Sequence, residues 1–596
     1  MTSLTSRLAA LSPEKRALLE RRLMAQARRP EDVIVRRPGG EPVPLSFSQQ
    51  RLWFLDQLDP GAPTYNAVVA MQVEGAVDVG RLTEALDVVI ARHEALRTVI
   101  RVDGEEPRQV VLEHWKLESE TVDLRDLPQQ ECDGAAGQAI RAAARRAYDL
   151  ANDLPLRLLA LRAADQRWVL AFLEHHIAFD GWSDEVLFAE LAELYRASSE
   201  GRPPRLPELV VQYGDFSVWQ RQRLQGDYLG QQVAYWRQAL AGAPPLLQLP
   251  SDHARPAVQT FAGVHRFFSR PATTADAIRA LATDRSCTAY MVVVAALYAA
   301  LYRWTGADDV VLGSPFANRE RPDLEYLIGF FSNTLPLRVR LDPAAGFSDL
   351  LARTRDVVLG AFDHQDLPFE LIVDAVAPAR DPGYNPLFQV NVRASSAPPA
   401  LLALPGSTVS PVAVDVGFAR FDLALDLTVG TEVGGYVEYN SALFSAERAE
   451  ELVSGFGRLL DDALRRPEVA LWDLAWRDGS GAGIRRGGPV DGRRRCASSP
   501  ASTGLRCSAS GSTSPPARWR TTSFRRRSAP GRSGTVSSGT DVATCAAGPW
   551  SVTFSAGTSR VSRARSRSGT TPRANLLWPA ARSSTWPTAR APPYLQ

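Results

Sequence analysis

The stretch LEHHIAFDGWS, residues 173–183, decides how this chain folds. It sets His175 and His176 side by side behind the apolar run WVLAFL (168–173), then Asp180, Gly181, Trp182 and Ser183. Residues 156–177, LRLLALRAADQRWVLAFLEHHI, read as two strands joined by the polar turn AADQR. Neighbouring side chains in a strand point to opposite faces, so the two histidines cannot share one cavity. One should look into a site while the other packs or hydrogen-bonds behind it. AFDG then ends the strand and turns the chain. Gly181 is expected to allow a backbone conformation or a close approach that a side chain would block. Asp180 is expected to order the loop through an Arg, and Ser183 to cap the helix SDEVLFAELAELYRAS (183–198).

The chemistry of the pair has three readings. A neutral imidazole is the usual group for taking a proton near pH 7. A metal site is weaker, because adjacent strand histidines diverge and no third ligand is spaced nearby. Two buried, hydrogen-bonded core histidines are the bland alternative.

Outward from this stretch, strand-like and helical segments alternate. YNAVVAMQVEG (65–75) has strand composition, DVGRLTEALDVVIARHEAL (78–96) has helical periodicity, and LRTVIRVDG (96–104) returns to strand and turn. QAIRAAARRAYDL (138–150) is helical. A second series includes the helices of residues 275–306 and the strand DDVVLGSPFA (308–317). The apolar run AYMVVVAALYAALY (289–302) is shorter than the ~20 residues that span a bilayer, so it reads as a buried core helix. This α/β body is too large for one compact core, and two lobes are expected, 44–215 and 216–478.

Residues 1–43 read as a short helix and a linker. Ser12 is suited to cap LSPEKRALLERRLMAQA (11–27), with Pro13 at its first position. That helix suits docking on a partner or packing on its own domain. The N-terminus lacks the apolar core of a secretory signal, and the five cysteines show no metal or disulfide spacing. A cytoplasmic protein, with no membrane partner, is expected.

The net charge of +2 hides an asymmetry. Residues 481–596 hold 19 Arg, no Lys and two acids, so residues 1–480 carry −15. The segment 479–596 is rich in Arg and Ser without hydrophobic period, and such composition is expected to be disordered. It is also what GC-rich DNA yields when translated out of frame. A basic tail binding nucleic acid is the alternative, though a nucleic-acid partner is not expected.

The paired-His motif does not stand alone. SFSQQRLWFL (46–55), RHEALRTVI (92–100), YGDFSVWQ (213–220), IGFFSNTLPLR (328–338), HQDLPFE (364–370) and RDPGYNPLFQ (380–389) flank it in order. With His175, His176, Asp180 and Gly181, this series closely resembles the condensation domains of nonribosomal peptide synthetases. The resemblance implies an α/β fold of two chloramphenicol-acetyltransferase-like lobes in a V, with a central tunnel. It implies that His176 faces the tunnel while His175 is structural. It implies that Asp180 pairs with an Arg from the other lobe, here Arg319, and that Gly181 keeps the tunnel open. Ser183, Asn333 and His364 are tunnel-lining candidates. Arg51, Trp53, Arg97 and Trp219 should brace the lobes.

The implied reaction joins two acyl groups carried as thioesters on phosphopantetheine arms, with no cofactor bound by the chain itself. The acceptor amine attacks the donor thioester, and holding both tethered groups in one tunnel supplies much of the rate. The partners are donor and acceptor carrier domains, the donor arriving in trans, and the motifs look like those joining an L-donor to an L-acceptor. A platform that only binds carriers, or an acyltransferase with a soluble acceptor, shares the fold.

Overall fold

The computed structural model describes residues 33–39, 43–104, 106–378, 381–398 and 400–477. The helix expected at 11–27 and the tail from 479 lie outside the described residues. The first half runs β1 (Val43–Pro44), α1 (Phe47–Leu58), β2 (Asn66–Glu74), α2 (Val79–Arg92), β3 (Thr98–Asp103), β4 (Glu106–Val111), β5 (Glu118–Asp123), α3 (Gln129–Ala144), β6 (Leu156–Ala164), β7 (Arg167–His175), α4 (Gly181–Glu200), α5 (Tyr213–Arg223) and α6 (Gly226–Ala239). The second half adds β8 (Gly263–Arg270), α7 (Ala272–Asp284), α8 (Ala289–Thr305), β9 (Asp309–Phe316), β10 (Asn333–Arg340), α9 (Phe347–Asp363), α10 (Phe369–Val376), β11 (Val390–Ser395), β12 (Thr408–Pro411), β13 (Leu423–Val429), β14 (Val433–Asn440) and α11 (Ala446–Arg465).

Two mixed sheets organise these elements, one in order β12-β2-β7-β6-β5 and one in order β10-β9-β11-β13-β14-β8. A small β1-β4-β3 sheet stands beside them. The run WVLAFL is apolar throughout because β7 is covered on both faces. Trp168, Leu170 and Phe172 enter the core shared with α2 and α4. Val169, Ala171 and Leu173 face the core under α3. A strand sandwiched this way needs no polar alternation. Helix α8 is the expected core helix, buried continuously from Met291 to Leu301 in the second sheet's core. No single described helix is long and apolar enough to cross a membrane.

The expected division at 215/216 does not fall at a break in the fold. Helix α5 runs straight through it, packing Tyr213, Phe216 and Trp219 into the first core. The chain also returns late to the first sheet. β12 pairs with β2 (Val409 opposite Val73), and Leu402 and Leu404 bury in the first core. Sheet edges are completed by whichever segment can reach them, so sequence order alone does not mark the lobes.

Candidate active site

β7 ends at His175, whose register partner on β2 is Asn66. His176 is therefore not a strand residue as expected. It begins a tight turn, tied by its own N–H to the Tyr65 carbonyl at 3.0 Å. The two imidazoles still have separate partners. His175 is buried, accepts the Ile177 N–H at Nδ1 (3.1 Å) and meets the Tyr148 ring edge-on at 5.6 Å. Burial, with Arg157 and Arg420 nearby, pushes its pKa down to about 3.

His176 is half-buried and sits 6.1 Å from the Phe330 ring. Its Nδ1 lies 3.3 Å from the Phe179 carbonyl. A carbonyl only accepts, so Nδ1 carries the proton and Nε2 keeps its lone pair. Burial holds the ring well below its ordinary pKa, and the charges of Arg420 and Arg393 push the same way. The result is a neutral imidazole with an unengaged basic nitrogen.

Asp180 is the N-cap of α4, so Ser183 does not cap this helix as expected. Asp180 Oδ1 accepts from the Ser183 N–H (2.9 Å), the Ser183 hydroxyl (2.8 Å) and Arg319 Nη2 (3.0 Å). Its Oδ2 accepts the N–H groups of Phe331 (3.0 Å) and Ser332 (3.1 Å). Five donors thus converge on one buried carboxylate. Arg319 also donates to the carbonyls of Leu324 and Leu327, and its guanidinium lies 4.1 Å from the Phe331 ring centre. Ser183 Oγ in turn accepts the Gly329 N–H at 3.1 Å. This network clamps the start of α4 to the segment leading into β10.

Gly181 departs from expectation. Its φ is not positive, and an added Cβ would meet only Arg393 Nη1, at an ordinary 3.5 Å. Neither the backbone nor the packing demands glycine there. Asn333 and His364 are not brought to the His176 turn by their contacts. Asn333 donates to the carbonyls of Gln365 and Leu367 and accepts the Phe369 N–H, which orders the loop before α10. His364 stacks on Tyr235 at 3.7 Å and donates from Nδ1 to the Gly360 carbonyl. The Asn333 amide is engaged at both ends in ordering that loop, and His364 is held by its ring stacking and one Nδ1 hydrogen bond.

Arg51 lies over Phe369 and approaches Glu370, linking α1 to α10. Arg97 holds the Leu112 carbonyl and covers Trp115, and Trp219 packs on Phe216. Gln49, in the same motif as Arg51, donates to the Ile177 carbonyl at 3.2 Å and so steadies the His176 turn. His93 accepts the Ile328 N–H at Nδ1 and bonds Glu190 through Nε2. Sequence spacing points to none of these three contacts, since each joins residues more than 90 positions apart. Among the described residues no group of His, Cys, Asp and Glu is arranged to hold a metal ion.

This arrangement is an α/β fold with a paired-His turn at the end of β7. The family model for the condensation domain matches residues 41–476. The chain belongs to the condensation-domain family of nonribosomal peptide synthetases. It is 42% identical over 484 residues to the phosphinothricin tripeptide synthetase PhsC of Streptomyces viridochromogenes, covering 80% of this chain and 44% of that protein. The chain thus spans less than half of that relative. Its fold is similar to the X-domain in a solved complex with OxyB from teicoplanin biosynthesis (TM-score 0.66, 27% identity, 75% of this chain and 99% of that one). It is also similar to the first condensation domain of the calcium-dependent antibiotic synthetase (TM-score 0.65, 20% identity, 74% and 100%). Peptide-bond formation with phosphopantetheine-bearing carrier domains is the general function of this family.

Proposed function

We propose that this chain forms an amide bond between two carrier-tethered substrates, with His176 as the residue that touches the reacting amine. The observation that carries the reading is a neutral His176 whose Nδ1–H is committed to Phe179, leaving Nε2 free. The acceptor amine attacks the donor thioester carbon and the C–N bond forms. The nitrogen then carries a proton that must leave before the C–S bond breaks and the donor thiol departs. A neutral imidazole nitrogen suits either holding the amine or taking that proton. Asp180, Ser183 and Arg319 act through structure, by fixing the turn. We read the donor and acceptor as carrier domains and the chain as cytoplasmic.

A binding platform is the second reading. Likeness to an X-domain solved in complex with OxyB favours it. Loading donor and acceptor carriers with aminoacyl-phosphopantetheine and following transfer by intact-protein mass spectrometry separates the two. Dipeptide on the acceptor carrier, lost or sharply reduced in His176→Ala, is expected. Carrier binding without product from any loaded pair would leave the platform.

A further inference from the structure

We infer that Arg393 is a specificity-determining residue beside the His176 turn, selecting an acyl or aminoacyl group that bears a carboxylate. The inference rests on the condensation reading and names the substrate class for that same site.

Arg393 lies on β11, in a cross-strand row with Asp426 on β13 and Tyr436 on β14. Asp426 Oδ2 accepts Arg393 Nε at 2.7 Å, pairs with Nη2, and accepts the Tyr436 hydroxyl at 3.0 Å. This fixes the plane of the guanidinium. Its remaining nitrogen, Nη1, has no hydrogen-bond partner among the described residues. That nitrogen is the one standing 3.5 Å from where a Gly181 Cβ would be. Gly181 is exposed and the Arg393 side chain is 56% exposed, so the unused N–H groups face open space at the start of α4.

The facing carboxyl, Asp184, lies one turn into α4 and is not in ion-pair contact with Arg393. It interacts instead with Glu174 on β7, which is 1% exposed and whose carboxyl pKa burial and this neighbour raise. Glu174 Oε1 and Asp184 Oδ1 are both buried without any donor. One proton held between two such carboxyls satisfies both and leaves the pair with one negative charge rather than two. Arg420 adds positive charge near His176. A carboxylate entering here meets a preset donor whose ordering is already done by Asp426 and Tyr436, and charge-assisted bonds of this kind are the strong ones.

The test is calorimetric titration of the full chain with two stable amide analogues, glutamyl- and glutaminyl-pantetheine, which differ in one charge. Wild type is expected to bind the glutamyl analogue about tenfold more tightly or better. Arg393→Gln should equalise the two, and Arg393→Lys should keep part of the preference. Equal binding by wild type, no binding of either analogue, or a preference that survives in Arg393→Gln overturns the inference. Loaded-carrier assays separate the two levels. Peptide formed at equal rates from glutamyl and glutaminyl substrates overturns only the specificity. Selective binding without peptide from any pair overturns the condensation reading and leaves the specificity standing.

Discussion

Arg319 Nη2 lies 3.0 Å from Asp180 Oδ1, and the two side chains are only 1% and 3% exposed. The partners are not equivalent. Without Arg319, Asp180 still accepts four hydrogen bonds, from the Ser183 amide and hydroxyl and from the Phe331 and Ser332 amides. Without Asp180, those donors and a buried guanidinium lose their acceptor together. Breaking a buried pair commonly costs about 3–5 kcal/mol when a charge is stranded. Asp180→Ala is therefore expected at or above that range, and Arg319→Met clearly below it. Urea unfolding of both variants checks this, and equal losses would refute the asymmetry.

His175 and His176 share a pH signature. Both have folded-state pKa values depressed below the usual value of about 6.5 for histidine, His175 to about 3. The unfolded chain binds protons that the folded chain excludes. Stability from this source is therefore complete above about pH 6.5 and is lost as pH falls from there toward the folded values. His175→Asn removes one of these contributions and should lower the slope of stability against pH, relative to wild type, by up to about 1.4 kcal/mol per pH unit. Unfolding midpoints between pH 4 and 7 measure the slope. Activity should hold on the acid side to well below pH 6.5, because His176 stays neutral there. A rate that halves near pH 6.5 through His176 would contradict the burial argument.

The local elements were legible because their causes are local. The β6–β7 hairpin, α2, α4 and α8 show in hydrophobic period and length. Arg319 was reachable through the motif order, and it does lie on Asp180. The end of β7 was not legible. It depends on the Tyr65 carbonyl taking the His176 N–H from a loop more than 100 residues away. The same holds for Ser183, displaced from the cap position by Asp180, whose side chain reaches the Ser183 amide first. Asn333 and His364 looked like site residues because polar side chains in motif loops serve either substrate or backbone. Only the positions of the Gln365, Leu367 and Gly360 carbonyls decide which. Arg393 gave no signal at all, since its meaning comes from Asp426 and Gly181 on other elements.

The Glu174–Asp184 pair opposes the histidines. Burial raises both carboxyls, Asp184 to about 7. A raised carboxyl contributes stability that is complete below its unfolded value of about 3.9 and is lost as pH rises through the folded value. Between pH 4 and 6.5 this decline runs against the rise from the histidines, and the wild-type curve should be comparatively flat. Asp184→Asn removes Asp184's share of the decline and leaves that of Glu174, whose carboxyl pKa its own burial raises. The variant's stability should climb more steeply with pH than wild type over that window, and it should exceed wild type at pH 8. Parallel curves for the two proteins would show that the pair does not hold its proton in the fold.

Gly181→Ala separates what the fold needs from what the site needs. Gly181 is the first residue of α4 with an unstrained φ, and the new methyl would make only ordinary contact with Arg393 Nη1 at 3.5 Å. Alanine is the better helix former by up to about 1 kcal/mol, less at a first turn. The variant should thus melt at or slightly above the wild-type temperature. The methyl nevertheless takes up space between α4 and Arg393, at the start of the helix that follows the His176 turn. If substrates pass there, transfer between loaded carriers should fall tenfold or more while carrier binding is retained. A variant that is both stable and fully active would mean that this space is not on the substrate path, and would remove the ground on which Arg393 meets a substrate.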